Sequence, residues 1–156
     1  MKRTLCILFL ALLIGVFSGA TVSPQDTGGC FERADVSMRE EILAQVNRER
    51  QKNDLSPVTC DAGLSLIAQN HAEDMSKEGY FSHTGPDGKD AFDYLTEAGI
   101  SYRCAAENIA WGDDNAKTLV KRWMGSSGHR RNILGDFSKV GIGSYDRYYV
   151  LVLIRE

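Results

Sequence analysis

The sequence predicts an α+β domain in which helices cover a small antiparallel sheet, a three-layer α-β-α sandwich. Three observations carry that prediction. Apolar residues recur at helical spacing in at least three separate stretches between 36 and 126. The period then changes: Val140, Ile142 and Ser144 alternate with Gly141, Gly143 and Tyr145. A run rich in β-branched and aromatic residues follows from Tyr148 to Ile154, and Asp146-Arg147 between the two reads as the tight turn of a hairpin.

Residues 1–20 stand outside that domain. Lys2 and Arg3 precede an apolar run from Leu5 to Phe17, and Ser18-Gly19-Ala20 supplies small side chains. This is the pattern of a secretory signal cleaved after Ala20. The run is too short for the ~20 residues of a spanning helix, so no transmembrane segment is expected after cleavage. Residues 21–35, rich in Gly, Ser, Thr and Asp, read as a flexible arm, and residues 36–156 as one domain. Lys2 and Arg3 leave with the signal, so 18 basic residues become 16 against 21 acidic ones, a net charge near −5. That balance argues against nucleic acid and anionic membrane surfaces as partners. A secreted, periplasmic or extracellular monomer is expected.

The first helix is expected over 36–52, with Ser37 and Glu40 as a capping box and Met38, Ile42, Leu43 and Val46 on its apolar stripe. Asn53 to Pro57 connects it to a second helix, capped by Asp61 and stopped by Gly79. Leu64, Ile67, Ala68, His71, Ala72 and Met75 form that helix's buried stripe. Gly85-Pro86-Asp87-Gly88 is turn chemistry, and a short helix with Phe92, Tyr94 and Leu95 follows, ending near Gly99. Ile109 to Trp111 reads as a third strand. A last helix spans 115–126, with Leu119, Val120 and Trp123 inward and Gly128 as a left-handed terminator.

Four cysteines become three once Cys6 leaves with the signal. In an oxidising compartment that permits one disulfide and one free thiol, or an intermolecular link. With Cys30 in the arm, Cys60–Cys104 is the expected pairing.

Three histidines are candidates for chemistry. His71 lies on a buried stripe and reads as a packed core histidine that finds a hydrogen-bond partner. His83 sits on a loop, where binding groups concentrate, and His129 sits at a junction between helical segments. Glu107 lies between apolar stretches, so its carboxylate needs partners. A histidine pair would supply them and would also resemble a zinc environment. The intervals from His83 to Glu107 and from Glu107 to His129 are 24 and 22 residues, which is not a compact metal motif.

Three blocks carry a resemblance. Phe81-Ser82-His83-Thr84-Gly85-Pro86-Asp87-Gly88, Ala106-Glu107-Asn108-Ile109-Ala110-Trp111 and Trp123-Met124-Gly125-Ser126-Ser127-Gly128-His129-Arg130-Arg131-Asn132-Ile133-Leu134 resemble, in order, motifs of the CAP superfamily. This family takes in cysteine-rich secretory, antigen 5 and pathogenesis-related 1 proteins, and the match is to its bacterial SCP-like branch. The resemblance covers about 36–154 and implies an α-β-α sandwich with a central cleft. His83, Glu107 and His129 would line that cleft, and His83 and His129 would hold any divalent metal, zinc being the chemically reasonable one. Ser126 stands where many relatives carry a second glutamate, which removes an anionic group from the cleft.

Three functions follow from these residues. The resemblance implies a binding module whose cleft takes a small ligand, lipid or peptide, or a divalent metal. The alternative is a metal-dependent hydrolase in which Glu107 and His129 activate a water. A serine version on Ser126 or Ser127 lacks the Gly-x-Ser-x-Gly elbow, and Cys104 has disulfide pairing as its plainer use. The last is a scaffold whose histidines only maintain the fold.

Overall fold

A computed structural model describes residues 36–113 and 115–156, without the side chains of Val36 and Ser37. The signal, the arm with Cys30 and the Ser37 capping box lie outside the described residues. The elements run α1 (Val36–Gln51), β1 (Thr59–Cys60), α2 (Ala62–Glu78), α3 (Ala91–Glu97), β2 (Cys104–Trp111), α4 (Ala116–Gly125), α5 (Ser127–Ile133), β3 (Lys139–Tyr145) and β4 (Tyr148–Arg155). The four strands lie in the order β1-β3-β4-β2. Two-residue β1 pairs parallel to β3, and all other pairings are antiparallel.

Strand alternation sorts the core into two layers. Val140, Ile142, Leu151, Leu153, Ala106 and Ala110 point to one face, where they meet Ile42 and Val46 of α1, Leu119 and Trp123 of α4 and Ile133 of α5. Val150, Val152, Ile154 and Ile109 point to the other, against Leu64, Ala68, Ala72 and Met75 of α2 and Leu95 of α3. This is the three-layer sandwich the sequence predicts.

Two glycines let α2 lie directly on the sheet. A Cβ on Gly141 would fall 2.1 Å from the Leu64 backbone carbon, and one on Gly143 2.2 Å from that of Ala68. Side chains at those positions would lift the helix off β3. On the opposite face, the Arg50 guanidinium is buried. It donates to four backbone carbonyls, those of Ser56, Ile133, Gly135 and Phe137, at 2.8–3.1 Å. One side chain thus ties α1 to the exit of α5 and the approach to β3.

Local expectations mostly survive. Asp61 caps α2 by accepting from the Leu64 amide, and Gly79 ends the helix at φ 68°. Asn115 caps α4. The hairpin turn falls at Asp146-Arg147, both at positive φ (46° and 65°), the primed geometry that suits strand twist. Three readings are corrected. β2 begins at Cys104, five residues before Ile109. Its leading segment holds Ala105, Ala106, Glu107 and Asn108, a composition with little β propensity, and pairing with β4 makes it a strand. Gly128 terminates nothing: extended Ser126 (φ −93°, ψ 128°) breaks α4 from α5, and Gly128 lies inside α5. Cys60 and Cys104 do not pair. They sit on β1 and β2, at opposite edges of the sheet, three strand spacings or about 14 Å apart, beyond disulfide reach. Cys104 is a free, exposed thiol.

Candidate functional site

Edge strand β2 positions the site. The Gly112 amide bonds the Arg147 carbonyl, so even positions of β2 turn their backbone groups toward β4 and odd positions toward the open edge. Three of those odd carbonyls are closed by side chains from the 122–132 segment. Asn132 Nδ2 donates to Glu107 O (3.0 Å), Trp123 Nε1 to Ile109 O (3.1 Å) and the Arg122 guanidinium to Trp111 O (3.2 Å). An exposed strand edge invites pairing with other chains, and this cover occupies it. Asn108, fully buried, donates to His129 O (3.1 Å) and accepts from Asn132 (2.8 Å), which fixes α5 beside β2.

Glu107 shares its face of β2 with Ile109 and so points toward α2. Its side chain is 3% exposed. His71 of α2 meets Oε1 through Nδ1 at 2.8 Å, and His83, on the loop after α2, meets Oε2 through Nδ1 at 2.6 Å. The other nitrogen of His71, Nε2, lies 3.1 Å from Ser82 O. A carbonyl only accepts, so Nε2 carries a proton. An ionised Glu107 likewise only accepts, so against it Nδ1 carries one too and the pair makes His71 an imidazolium. Burial pushes its pKa down, but the bond to and charge of Glu107 outweigh that and hold it above its ordinary value. Burial pushes the Glu107 carboxyl up, and the bonds from His71 and His83 outweigh it and hold the group below its ordinary value.

His83 is half exposed. With the Nδ1 proton committed to Glu107, the neutral form of the ring has its bare nitrogen at Nε2, away from the carboxylate. This second-neighbour arrangement orients an imidazole for binding. His129, half buried on α5, has its pKa depressed by burial first and then by the charges of His83 and Arg122. Ser126 separates α4 from α5 and makes no side-chain capping bond. Phe81 and Trp111 are exposed, and each packs its ring against Tyr148, at 6.4 and 6.0 Å. They form an aromatic strip on the His83 side of the sheet.

The structure therefore brings His83 directly onto Glu107, while His129 on α5 makes no side-chain bond to either among the described residues. The pair that satisfies the carboxylate is His71 with His83; the sequence reading had His83 with His129. Sequence reasoning left His71 in the core and gave Asn132 no role. A usable signal existed for His71: a histidine on a buried stripe and an acid between apolar stretches each need a partner. Among the described residues no group of three or more His, Cys, Asp or Glu could hold a metal ion. His83 and His129 supply two imidazoles, which suit zinc but stop short of three protein ligands. No helix among the described residues is long and apolar enough to cross a membrane.

Comparison with known proteins agrees with this architecture. The family model for cysteine-rich secretory proteins, CAP, matches residues 43–152. The uncharacterised protein YkwD of Bacillus subtilis is 41% identical over 125 residues, covering 80% of this chain and 49% of YkwD. The chain thus spans about half the length of the curated relatives it matches. Among solved structures, an extracellular protein of Bacillus anthracis containing an SCP domain superposes with TM-score 0.72 at 28% identity, covering 81% of this chain and 45% of that one. An outer surface protein of Borrelia burgdorferi superposes with TM-score 0.71 at 19% identity, over 80% of this chain and 98% of that one, a likeness of fold.

Proposed function

The chain belongs to the cysteine-rich secretory protein family, CAP, and on that premise we propose that it is a secreted binding module whose cleft, lined by His83, Glu107 and His129, takes a small ligand. The carrying observation is the tether: buried Glu107 spends one oxygen on His71 and the other on His83, so the half-exposed His83 ring is held in place by Nδ1 and its Nε2 is left to a ligand. The exposed Phe81 and Trp111 offer an apolar wall for the organic part of a ligand. Secretion is supported by the leader pattern of residues 1–20 and by the extracellular and outer-surface proteins that share the fold.

A divalent metal would be held by His83 and His129, with water or ligand in its other positions, as an exchangeable guest. When bound it would supply a positive charge to anchor an anionic group. The hydrolase alternative needs a base that reaches a water. Glu107 is almost completely buried and both its oxygens accept histidine N–H groups, which argues against it.

Thermal unfolding with zinc and with a panel of small organic anions tests this reading. A ligand at 100 times its Kd stabilises by about 2.7 kcal/mol. The expected result is a rise in Tm for the native chain that His83→Ala abolishes. No rise with any ion or panel member, or an equal rise in His83→Ala, would refute the cleft.

A further inference from the structure

A cavity of about 660 Å3 opens between α2, α3 and the 84–90 loop. His71 separates it from the cleft: its ring lines the cavity and stacks with Tyr80 at 6.3 Å, while its Nδ1 meets Glu107. The volume is that of a small-molecule pocket. Part of the lining is apolar, with Leu66, Ile67 and Ala98, and two tyrosine rings form walls.

Carboxylates outnumber the cationic groups in the lining. The Tyr80 hydroxyl donates to Asp74 Oδ2 (2.7 Å) and the Tyr94 hydroxyl to Asp87 Oδ2 (2.8 Å), so both phenolic protons are spent inside the wall. The one lysine of the lining, Lys89, is bound to Glu97 at 2.6 Å and lies over the Tyr94 ring. What remains for a guest beside the Asn70 amide is acceptor: the second oxygen of Asp74, the lone pairs of both phenols and the whole carboxylate of Glu78, which makes no hydrogen bond or ion pair among the described residues. Asp74 and Glu78 are four apart on α2 and hence neighbours on one helix face, an arrangement of like charges that costs stability until a cation relieves it. The bond to Asp87 pushes the Tyr94 phenol up to about 12, a second sign of negative potential.

We propose that this cavity binds an organic cation, an ammonium or guanidinium on an apolar stem such as a lysine or arginine side chain carries. The charge sits between Asp74 and Glu78, and the stem lies against Tyr80, Tyr94 and Ile67, where aromatic faces also attract the cation. The clustered carboxylates disfavour an anionic guest, and the apolar floor favours an alkyl amine over a bare metal ion. The site is separate from the His83 cleft and does not depend on what the cleft binds.

Amide NMR titration of the full chain tests the assignment, with n-butylamine, the tripeptide Gly-Lys-Gly and, as neutral control, n-butanol. The expected result is saturable shifts for both amines clustered at Asp74, Glu78, Tyr80, Asp87 and Tyr94, and none for butanol. Asp74→Asn with Glu78→Gln should weaken amine binding at least about tenfold. Both substitutions keep an acceptor oxygen, so the Tyr80 bond and the folded spectrum are retained. The two amines binding alike would mean that the cation alone is read; tighter binding of the tripeptide would identify a peptide side chain as the source. Equal response to butylamine and butanol, full-strength binding by the neutral double variant, or loss of amine binding in His83→Ala would overturn the proposal.

Discussion

Removing the Glu107 carboxylate probes the His71–Glu107–His83 arrangement most sharply. In Glu107→Ala, His71 keeps its Nε2 bond to Ser82 O but loses its only partner at Nδ1, inside a site where its side chain is 6% exposed. Hydrogen bonds to charged groups contribute about 1.5–3 kcal/mol each, and breaking a buried ionic pair costs about 3–5 kcal/mol. The second bond, to half-exposed His83, is screened by solvent and adds less than about 1 kcal/mol. Together these give a loss of about 3–4 kcal/mol for alanine. Glu107→Gln should behave differently. Its amide can donate to Nδ1 of a neutral His71 while its oxygen accepts from His83, so both bonds persist without charge and the loss falls to about 1 kcal/mol. Urea unfolding of the three proteins at pH 6 measures these values, with equal m confirming comparable native states. Alanine within about 1 kcal/mol of the native chain, or glutamine as damaging as alanine, would refute the ion-pair account.

The His71 pKa is raised, so its contribution is complete below the ordinary value of 6.5 and is lost as pH rises through the raised one. The Glu107 pKa is depressed, so its contribution is complete above 4.5 and is lost as pH falls through the depressed one. These two groups therefore favour a stability maximum between 4.5 and 6.5, and in Glu107→Gln the decline on its alkaline side should flatten when urea midpoints are followed against pH. Gly143→Ala places a methyl against the Ala68 backbone and should cost about 3 kcal/mol or more by overpacking, as read by thermal unfolding. Arg50→Met leaves four carbonyls without their donor, and a loss of about 3–5 kcal/mol is expected in the same assay.

The fold was legible where local chemistry and pattern agree. Asp61, Gly79 and the Asp146-Arg147 turn each act within a few residues of themselves, and the alternation from Val140 onward survives because one face of each strand is buried. What escaped the sequence depends on partners far along the chain. Residues 104–108 become strand because β4 pairs with them, and β1 exists only through two pairings with β3. The Cys60–Cys104 expectation failed because sequence separation carries no information about which edge of the sheet a strand occupies. The site was half legible. Loop position marked His83 and isolation between apolar stretches marked Glu107, but His71 joins them across 36 residues from inside a helical stripe that looks like core. Trp123 and Asn132 belong to the most distinctive sequence block, and their work is to close the edge of β2.

The account rests on His71 being an imidazolium and His83 carrying its proton on Nδ1, both fixed by Glu107. Long-range 1H–15N correlation of the three histidine rings at pH 6–7 reads this directly. The predicted spectrum has both His71 nitrogens protonated, and the neutral form of His83 bare at Nε2, with the His71 signature lost in Glu107→Gln. A His71 ring that titrates at its ordinary value and is indifferent to that substitution would contradict it.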